Sequence, residues 1–293
     1  MLTAIRITTS LLKLRIGLAI AVSALAGMAA TQGPGLSLPQ ALAFALAVLG
    51  ASGAAGAFNH YYERDLDRAM ARTRTRPFAS GLLQPGWIWP FSFLALLIAS
   101  LVLAYAVAGG LATLFVFLGA FTYGIVYTVW LKRRSAWNIV IGGLAGSFAV
   151  LAGAAAVDPL LQPAPVLIAV VMFLWTPPHF WSLAAAKSRD YALADVPMLP
   201  LTASQRFWTL AILAHTAVLA VLSLVPLAYG MGLIYGLGAA AGGSWFLWRS
   251  WQLYRMPTRS TAMANFRASL VQLTLLVAAT LADDALRIVP WLG

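Results

Sequence analysis

Nine long apolar stretches constrain the fold of this chain more than any other feature. A helix needs about 20 largely apolar residues to cross roughly 30 Å of hydrocarbon. Backbone in lipid must satisfy its own hydrogen bonds, and the sequence lacks the alternating segments of about ten residues that form a membrane barrel. The sequence therefore predicts an all-α, polytopic membrane protein, a nine-helix bundle forming one integral-membrane domain over residues 1–293. The predicted spans are residues 16–31, 38–58, 88–108, 111–130, 137–157, 166–184, 207–227, 230–246 and 270–282.

The composition excludes several classes of function. Hydrophobic residues make up 61% of the chain and charged residues 9%, whereas an ordinary soluble domain has about 25% charged residues. The net charge of +11 therefore comes with too little polar surface for a nucleic-acid-binding footprint. The chain contains no cysteine, which excludes disulfides, thiolate metal sites and a cysteine nucleophile. A bound metal must take oxygen or imidazole ligands.

The 19 basic residues are divided unequally between the two ends of the predicted spans. Eighteen lie before the first span or in the loops after spans two, four, six and eight, and the other loops have none. The positive-inside rule then places the N-terminus in the cytoplasm and the C-terminus across the membrane. Five of the eight acids share two of these basic loops, so we expect a cytoplasmic active site. We interpret the bases before span one and after span eight as charges that orient the bundle: Arg6, Lys13, Arg15, Arg249, Arg255, Arg259 and Arg267.

The first charged loop continues directly from span two. If the helix runs on, Asn59, Glu63 and Asp67 lie at positions i, i+4 and i+8 on one face. Two carboxylates and an amide one turn apart form an oxygen-rich site that suits Mg²⁺, which completes its shell with water and phosphate. Arg72 and Arg76 follow one turn apart, and their guanidinium groups can hold a diphosphate. The alternative is a solvated loop with weak exposed ion pairs, and we assign Arg64, Asp65 and Arg68 to it.

The second charged loop follows span six. Pro177 and Pro178 are expected to break or kink the helix near the membrane surface and to form a pocket wall. His179 is either a bundle-facing histidine bonded to a neighbour, or a general base or haem ligand. Asp190 is a second carboxylate that is able to hold another Mg²⁺ across the cavity from Asp67. Further candidates for substrate contact in this region are Trp175, Lys187 and Tyr191.

Four other polar residues leave alternatives open. Lys132 and Arg133 follow span four, and they are either anchors at the membrane surface or ligands of diphosphate oxygens. His60 points away from Asn59 on a helix, which favours a place at the membrane interface. His215 lies inside span seven and is expected to face the bundle.

The two charged loops resemble the UbiA superfamily of intramembrane prenyltransferases, and most closely its members that farnesylate haem. The matching residues of the first loop are Asn59, Glu63, Asp67, Met70, Arg72, Thr73, Arg76 and Pro77. Those of the second region are the run from Trp175 through His179 to Trp181, then Asp190, Tyr191 and the run from Pro197 to Pro200. Tyr127, Thr128, Leu131, Lys132, Arg133 and residues 138–146 also match. The chain departs from the family pattern at Ser147, where the family has Pro-Pro, and at Asp195, where it has Gly. We expect the first departure to reshape the acceptor pocket.

The resemblance implies Mg²⁺-dependent transfer of a farnesyl group from farnesyl diphosphate to a vinyl group of haem B. Haem B is then a substrate, and the product, haem O, serves haem–copper oxidases, with haem A synthase or oxidase assembly downstream. The implied location is a bacterial inner membrane, in contact with lipid. The alternatives are a UbiA-type enzyme for another aromatic acceptor, such as a hydroxybenzoate or quinone precursor, and a transporter. Charges confined to one mouth favour chemistry at one face over transport.

The resemblance also assigns roles to residues. Asp67, Asp190 and His179 are the expected catalytic residues. The implied Mg²⁺ ligands are Asn59, Glu63, Asp67 and Asp190. The implied diphosphate ligands are Arg72, Arg76, Lys132, Arg133 and Lys187, and the implied contacts to the prenyl chain or acceptor are Tyr127, Trp175 and Tyr191.

Overall fold

The computed structural model describes the backbone of residues 2–288 and the side chains of residues 5–286, and all regular structure in this range is helical. The predicted all-α class is therefore confirmed. The first helices are α1 (Leu2–Leu11), α2 (Leu14–Ala29), α3 (Leu38–Tyr62), α4 (Arg64–Ala69) and α5 (Ile88–Phe121), which continues into a π-helix (Thr122–Leu131). The middle helices are α6 (Asn138–Gly142), α7 (Leu144–Val157), α8 (Pro163–Ala186), α9 (Ser188–Leu193) and α10 (Leu199–Thr202). The last helices are α11 (Gln205–Leu222), a 3₁₀ turn (Val225–Tyr229), α12 (Leu233–Arg255) and α13 (Arg259–Ile288).

Each predicted span is helical over most of its length, but the number of membrane crossings is not fixed by this alone. Among the described residues, six helical segments are long and apolar enough to cross a membrane, or seven if the bent pair of α1 and α2 is one span. One of the six, the 44-residue segment Ile88–Leu131, contains two predicted spans, and α12 is not among the six. The count of nine stays a prediction, as does the orientation, because length and composition alone do not show which helices cross a membrane.

Gly109 divides the longest helical segment. At about 1.5 Å per residue, 44 helical residues would exceed the thickness of a bilayer about twofold. Gly109 has φ 76° and ψ −175°, a conformation outside the helical region that glycine adopts without a steric penalty. The break falls between the predicted spans 88–108 and 111–130, so glycine supplies the turn that separates them.

The long helices form a closed ring. In sequence order α2, α3, α5, α7, α8, α11, α12 and α13 each pack against the next, and α13 returns to α2. The α2–α7 pair is close because glycines face backbone. A Cβ atom on Gly153 would lie 1.8 Å from the carbonyl oxygen of Ala24, and one on Gly27 would lie 2.0 Å from that of Val150. Small residues at such crossings allow helices to approach in a membrane.

The outer surface of the ring is apolar. On α5, Leu94, Ile98, Val102 and Tyr105 recur at helical spacing and are 51–67% exposed. A continuous stripe of exposed apolar side chains is unstable in water but is matched to lipid tails. The chain is therefore an integral membrane protein, with its polar groups inside the ring or at its ends.

Helix α8 continues through Pro177 and Pro178, so the predicted break at these prolines is wrong. Neither proline has an N–H, which leaves two carbonyl groups of the preceding turn without their usual donors. Nearby hydroxyl groups add side-chain bonds to this part of the helix: Ser182 donates to the carbonyl of Pro178 at 2.6 Å and Thr176 to that of Met172 at 3.1 Å. Both bonds go to carbonyls other than the two that lose their donors, which belong to Phe173 and Leu174. The second charged loop begins at Lys187, where α8 ends.

Candidate active site

Three predicted metal ligands lie stacked at the end of α3. Asn59, Glu63 and Asp67 are each about 1% exposed. The helix is interrupted at Glu63, but the amide of Glu63 donates to the carbonyl of Asn59 at 2.9 Å, and that of Asp67 donates to Glu63 at 2.8 Å. The i, i+4, i+8 spacing therefore persists into α4. By contrast, Asp65 pairs at 3.1 Å with Arg68 in a bond whose side chains are 68% and 55% exposed, as the solvated-loop interpretation expects.

Each buried carboxylate has a basic partner. Glu63 accepts from the ammonium of Lys132 at 2.5 Å, and Asp67 accepts through both oxygens from Arg76 at 2.9 and 2.8 Å. Burial lowers the pKa of Lys132, and the contact with Glu63 opposes that shift. Lys132 thus turns into the protein, whereas Arg133 is exposed.

Asn59 is held from both sides. Its amide nitrogen donates to the hydroxyl of Thr128 at 3.0 Å, and its amide oxygen accepts from the ammonium of Lys13 at 2.6 Å. Lys13 also donates to the phenol oxygen of Tyr123 at 2.8 Å. Sequence reasoning missed Lys13 because it treated this residue as an orienting charge. The π-helix brings Tyr123 and Thr128 to the same side, so this irregular segment shapes the site.

The two charged loops meet at Tyr191, on α9. Tyr191 is buried, and the guanidinium of Arg72 lies 5.6 Å from its ring centre and 3.5 Å from its hydroxyl oxygen. Burial raises the pKa of Tyr191, and the charges of Arg72 and Arg76 act against that shift. Met70 packs in the same apolar cluster as Tyr191. The loops that the sequence pairs by composition are therefore neighbours, although Arg72 and Arg76 do not share one helical face.

Asp190 and Lys187 lie beside this junction. Asp190 is in the first turn of α9 and Lys187 is the residue at which α8 ends, and both are half-buried. Asp190 acts electrostatically on Tyr191, as Glu63 does from the first loop. Asp190 therefore adjoins Tyr191, at which the two charged loops meet.

The oxygen groups fit a site for Mg²⁺ that is completed by substrate. Among the described residues, no three His, Asp or Glu side chains lie together as a ready-made metal site. However, Oε1 of Glu63 is buried without a hydrogen-bond partner in the described structure. The other oxygens of the stack are taken by Lys13, Lys132 and Arg76. An amide and two carboxylates one turn apart, with one free buried oxygen, match the preference of Mg²⁺ for a few protein oxygens plus phosphate.

His179 lies in an aromatic interior between α8 and α13. It is 7% exposed, stacks on Trp175 at 4.2 Å between ring centres, and its Nδ1 lies 2.6 Å from the hydroxyl of Ser269. The indole of Trp175 donates to the carbonyl of Ser269 at 2.8 Å. These contacts satisfy the bundle-facing interpretation of His179. Its role towards an acceptor stays a prediction.

The other two histidines differ in their surroundings. His60 is 3% exposed and therefore buried in the protein, and its expected place at the membrane interface stays a prediction. Its Nδ1 has no partner within the described residues. His215 bonds through Nδ1 to the carbonyl of Ala211 at 2.8 Å and meets Trp181 edge-on at 5.3 Å. It faces the bundle as expected.

Tyr127 and the two departures from the family pattern are also placed. Tyr127 stacks with Tyr123 at 5.8 Å between ring centres, and the ammonium of Lys132 lies 5.7 Å from its ring centre. Ser147 is buried and donates across to the carbonyl of Ala169 on α8 at 2.8 Å. Asp195 has φ 48°, in the left-handed region that favours glycine. A glycine in the family pattern at this position is explained by that backbone conformation.

Comparison with known proteins gives consistent matches over most of the chain. A model of the UbiA prenyltransferase family matches residues 20–276. The chain is 53% identical over 282 residues to a protein named protoheme IX farnesyltransferase 2 from Paramagnetospirillum magneticum, covering 96% of this chain and 98% of that one.

Two solved structures share the fold. A digeranylgeranylglyceryl phosphate synthase has a TM-score of 0.79 at 15% identity, covering 96% of this chain and 98% of that one. A UbiA homologue from Archaeoglobus fulgidus, bound to GPP and Mg²⁺, has a TM-score of 0.71 at 16% identity, covering 94% of this chain and 99% of that one. At these identities the two likenesses show the fold alone.

Proposed function

This chain belongs to the UbiA prenyltransferase family, and we propose that it transfers the farnesyl group of farnesyl diphosphate to a vinyl group of haem B, with Mg²⁺, to give haem O. The chain is an enzyme, and its named relative at 53% identity supports haem as the acceptor. A fold neighbour that binds GPP and Mg²⁺ supports a prenyl diphosphate donor and a divalent metal. The farnesyl length of the donor, the metal and the bacterial inner membrane are parts of the proposal.

The observation that carries the donor half of the proposal is the buried cluster of charges at one mouth of the ring. Glu63 and Asp67 are each paired with a base inside the protein. Such burial is costly unless the charges are paired, and it is rare in a membrane protein outside a functional site. Arg72 and Tyr191 extend the cluster to the second loop. A site with carboxylate oxygens and an excess of bases is matched to a metal-bound diphosphate.

The residues have separate tasks in the proposed reaction. Mg²⁺ held by Asn59, Glu63, Asp67 and Asp190 would neutralise the diphosphate and favour cleavage of the bond between the farnesyl carbon and oxygen. Arg76 and Lys132 hold the carboxylates in place and donate to the departing phosphate oxygens. Arg72, Arg133 and Lys187 are further candidates at the rim.

Aromatic groups lie beside the charged cluster. The ring faces of Tyr123 and Tyr127 are close to the bases, and we assign Tyr127 to the face that stabilises the positive charge on the allylic carbon. The terminal vinyl carbon of haem B then bonds to the allylic carbon, and the cation left on the neighbouring carbon takes up water, which loses a proton to give the hydroxyl group. His179 and Trp175, between α8 and α13, are our candidates for the acceptor side.

The test is a reaction with defined substrates. The full-length protein, purified in detergent, is incubated with farnesyl diphosphate, Mg²⁺ and haem B, and the product is identified by chromatography and mass spectrometry. We expect a product with the mass of haem O and release of one diphosphate. Farnesylation of a hydroxybenzoate or a quinone precursor without any farnesylated haem would refute haem B as the acceptor but would still support prenyl transfer. If the product forms equally well in excess chelator, the proposed requirement for a divalent metal is refuted.

The Asp190→Asn variant tests the second carboxylate. We expect it to abolish turnover, because Asp190 is assigned to the metal from the opposite loop. The matched control is Asp195→Asn, five residues later in the same region. Retention of near-native turnover by Asp190→Asn would exclude this ligand.

A further inference from the structure

Lys13 reaches the candidate active site from the bend between α1 and α2. These helices meet at an angle of 55°. Lys13 lies at the bend with φ 49° and ψ 43°, a left-handed conformation that is costly for a lysine. Strained backbone of this kind persists where the surroundings hold it in place. The bend directs the side chain of Lys13 towards α3, whereas Arg6 and Arg15 on either side of it are exposed.

Two glycines of α3 lie against this bend. A Cβ atom on Gly56 would lie 3.4 Å from Cδ of Lys13, and one on Gly53 would lie 3.5 Å from Cβ of Leu12. The aliphatic stem of Lys13 thus crosses α3 in contact with Gly56, one turn before Asn59. The approach is close and specific, which is not needed for a charge that only orients the chain.

The ammonium group of Lys13 has neutral partners. It donates to the amide oxygen of Asn59 at 2.6 Å and to the phenol oxygen of Tyr123 at 2.8 Å. An ammonium has three N–H donors, and within the described residues these two contacts are its hydrogen bonds. The carboxylates of Glu63 and Asp67 act on it electrostatically, but each is bonded to another base.

Lys13 is a base of the inner charged cluster that is not bonded to a carboxylate. The inner charged cluster has three bases and two acids: Lys13, Arg76, Lys132, Glu63 and Asp67. Two of the bases are bonded to the two acids. A partly buried ammonium whose partners are neutral dipoles gains the most binding energy from a multiply charged anion. A diphosphate is such an anion.

We propose that Lys13 is a diphosphate-binding residue, which holds the amide oxygen of Asn59 until a metal-bound diphosphate enters and then bonds to a phosphate oxygen. The inference rests on the proposed function. In the substrate-free protein, Lys13 occupies the oxygen that the metal needs, so the ammonium and the metal compete for Asn59. When the phosphate is present, both cations have a ligand.

The test compares two variants of Lys13 with a matched control. Lys13→Met removes the charge and the donor, whereas Lys13→Gln keeps an N–H donor for Asn59 and Tyr123 and removes the charge. Arg15→Met removes an exposed base of the same segment. Each full-length protein is purified in detergent, and its melting temperature is measured. Calorimetry gives the affinity for inorganic diphosphate with Mg²⁺, and electron paramagnetic resonance gives the affinity for Mn²⁺ alone.

Different effects on the affinities for diphosphate and for Mn²⁺ distinguish a binding role of Lys13 from a structural role. We expect Lys13→Met and Lys13→Gln to weaken diphosphate binding by roughly 10- to 100-fold, the range for a hydrogen bond to a charged group. The affinity for Mn²⁺ alone should stay equal or increase, because a competing cation has been removed. Arg15→Met should bind both ligands as the unmodified protein does. If Lys13→Met does not fold, the Lys13→Gln result decides.

Two outcomes would overturn the inference. One is a diphosphate affinity of Lys13→Gln within about twofold of the unmodified protein. The other is a parallel loss of diphosphate and Mn²⁺ affinity with a lower melting temperature, which is the signature of a structural role. If the unmodified protein itself does not bind Mg²⁺ and diphosphate, the donor half of the proposed function fails, and the inference fails with it. The arm with the unmodified protein therefore separates the two failures.

Discussion

Replacement of Asp67 by Asn tests the charged cluster through both stability and activity. Asp67 is 1% exposed, and both of its oxygens accept from Arg76 at 2.9 and 2.8 Å. Asparagine keeps the shape of the side chain and removes its charge, so Arg76 loses its counter-ion. Removal of one partner from a buried ion pair costs about 3–5 kcal/mol of unfolding free energy. Because the side chain of Arg76 is 22% exposed, we expect the lower end, about 3 kcal/mol.

The effect on turnover should be larger than the loss of stability explains. Loss of a group that only orients a metal ligand costs roughly 10- to 100-fold, so loss of a ligand itself should cost at least about 100-fold. The matched control is Asp65→Asn, two residues earlier. Asp65 and Arg68 form an exposed pair at 3.1 Å, which contributes about 0–1 kcal/mol. Asp65→Asn should keep both turnover and melting temperature.

The assay measures haem O formation in a single turnover, next to the melting temperature in the same detergent. A double variant, Asp67→Asn with Arg76→Met, removes both charges and should regain much of the lost stability without regaining turnover. The reasoning is refuted if Asp67→Asn turns over as fast as Asp65→Asn. It is also refuted if the double variant is fully active, since the loss in Asp67→Asn would then be a folding defect.

Three further predictions follow from single contacts. Burial lowers the pKa of Lys132, so turnover should fall at a pH below the usual lysine value of about 10.4, and Lys132→Arg should move that limb of the pH–rate profile to higher pH. Gly153→Ala would place a Cβ atom 1.8 Å from a backbone oxygen, so it should lower the free energy of unfolding by about 3 kcal/mol or more and lower the melting temperature. The control is Gly146→Ala on the same helix, which should change the melting temperature little because the nearest atom to its Cβ would lie at 3.6 Å. Asp195→Gly should keep or raise the melting temperature, because glycine adopts φ 48° without the left-handed penalty of roughly 1–2 kcal/mol, whereas Asp195→Val should lower it.

The helices could be predicted from the sequence because lipid leaves few alternatives. Apolar stretches of sufficient length become helices whatever their neighbours are, and the glycine pair at residues 109–110 lies between two of them. The prolines of α8 were misread because proline usually interrupts or kinks a helix, whereas membrane helices tolerate it. In this protein α8 runs through both prolines to Ala186.

Part of the candidate site could also be predicted from the sequence, but for a different reason. The spacing of Asn59, Glu63 and Asp67 is local, so one helix geometry was enough to place them on one face. The partners of these groups are not local. Lys132 lies 69 residues from Glu63, and Lys13 lies 46 residues from Asn59. No periodicity in the sequence relates them, and only the packing of the π-helix and the α1–α2 bend against α3 brings them together.

Position in the sequence alone does not show which basic residues on one face of a membrane protein bind substrate and which only orient the chain. The positive-inside rule counts each lysine and arginine in a loop equally, and on that count Lys13 and Arg15 are alike. Their surroundings differ, since Arg15 is exposed and Lys13 is bonded to Asn59 and Tyr123. A base in solvent gains little from a specific anion, whereas a base already desolvated by the fold gains much. It follows that a base which the fold has withdrawn from solvent without a bonded carboxylate gains most from an arriving phosphate, and Lys13 meets both conditions.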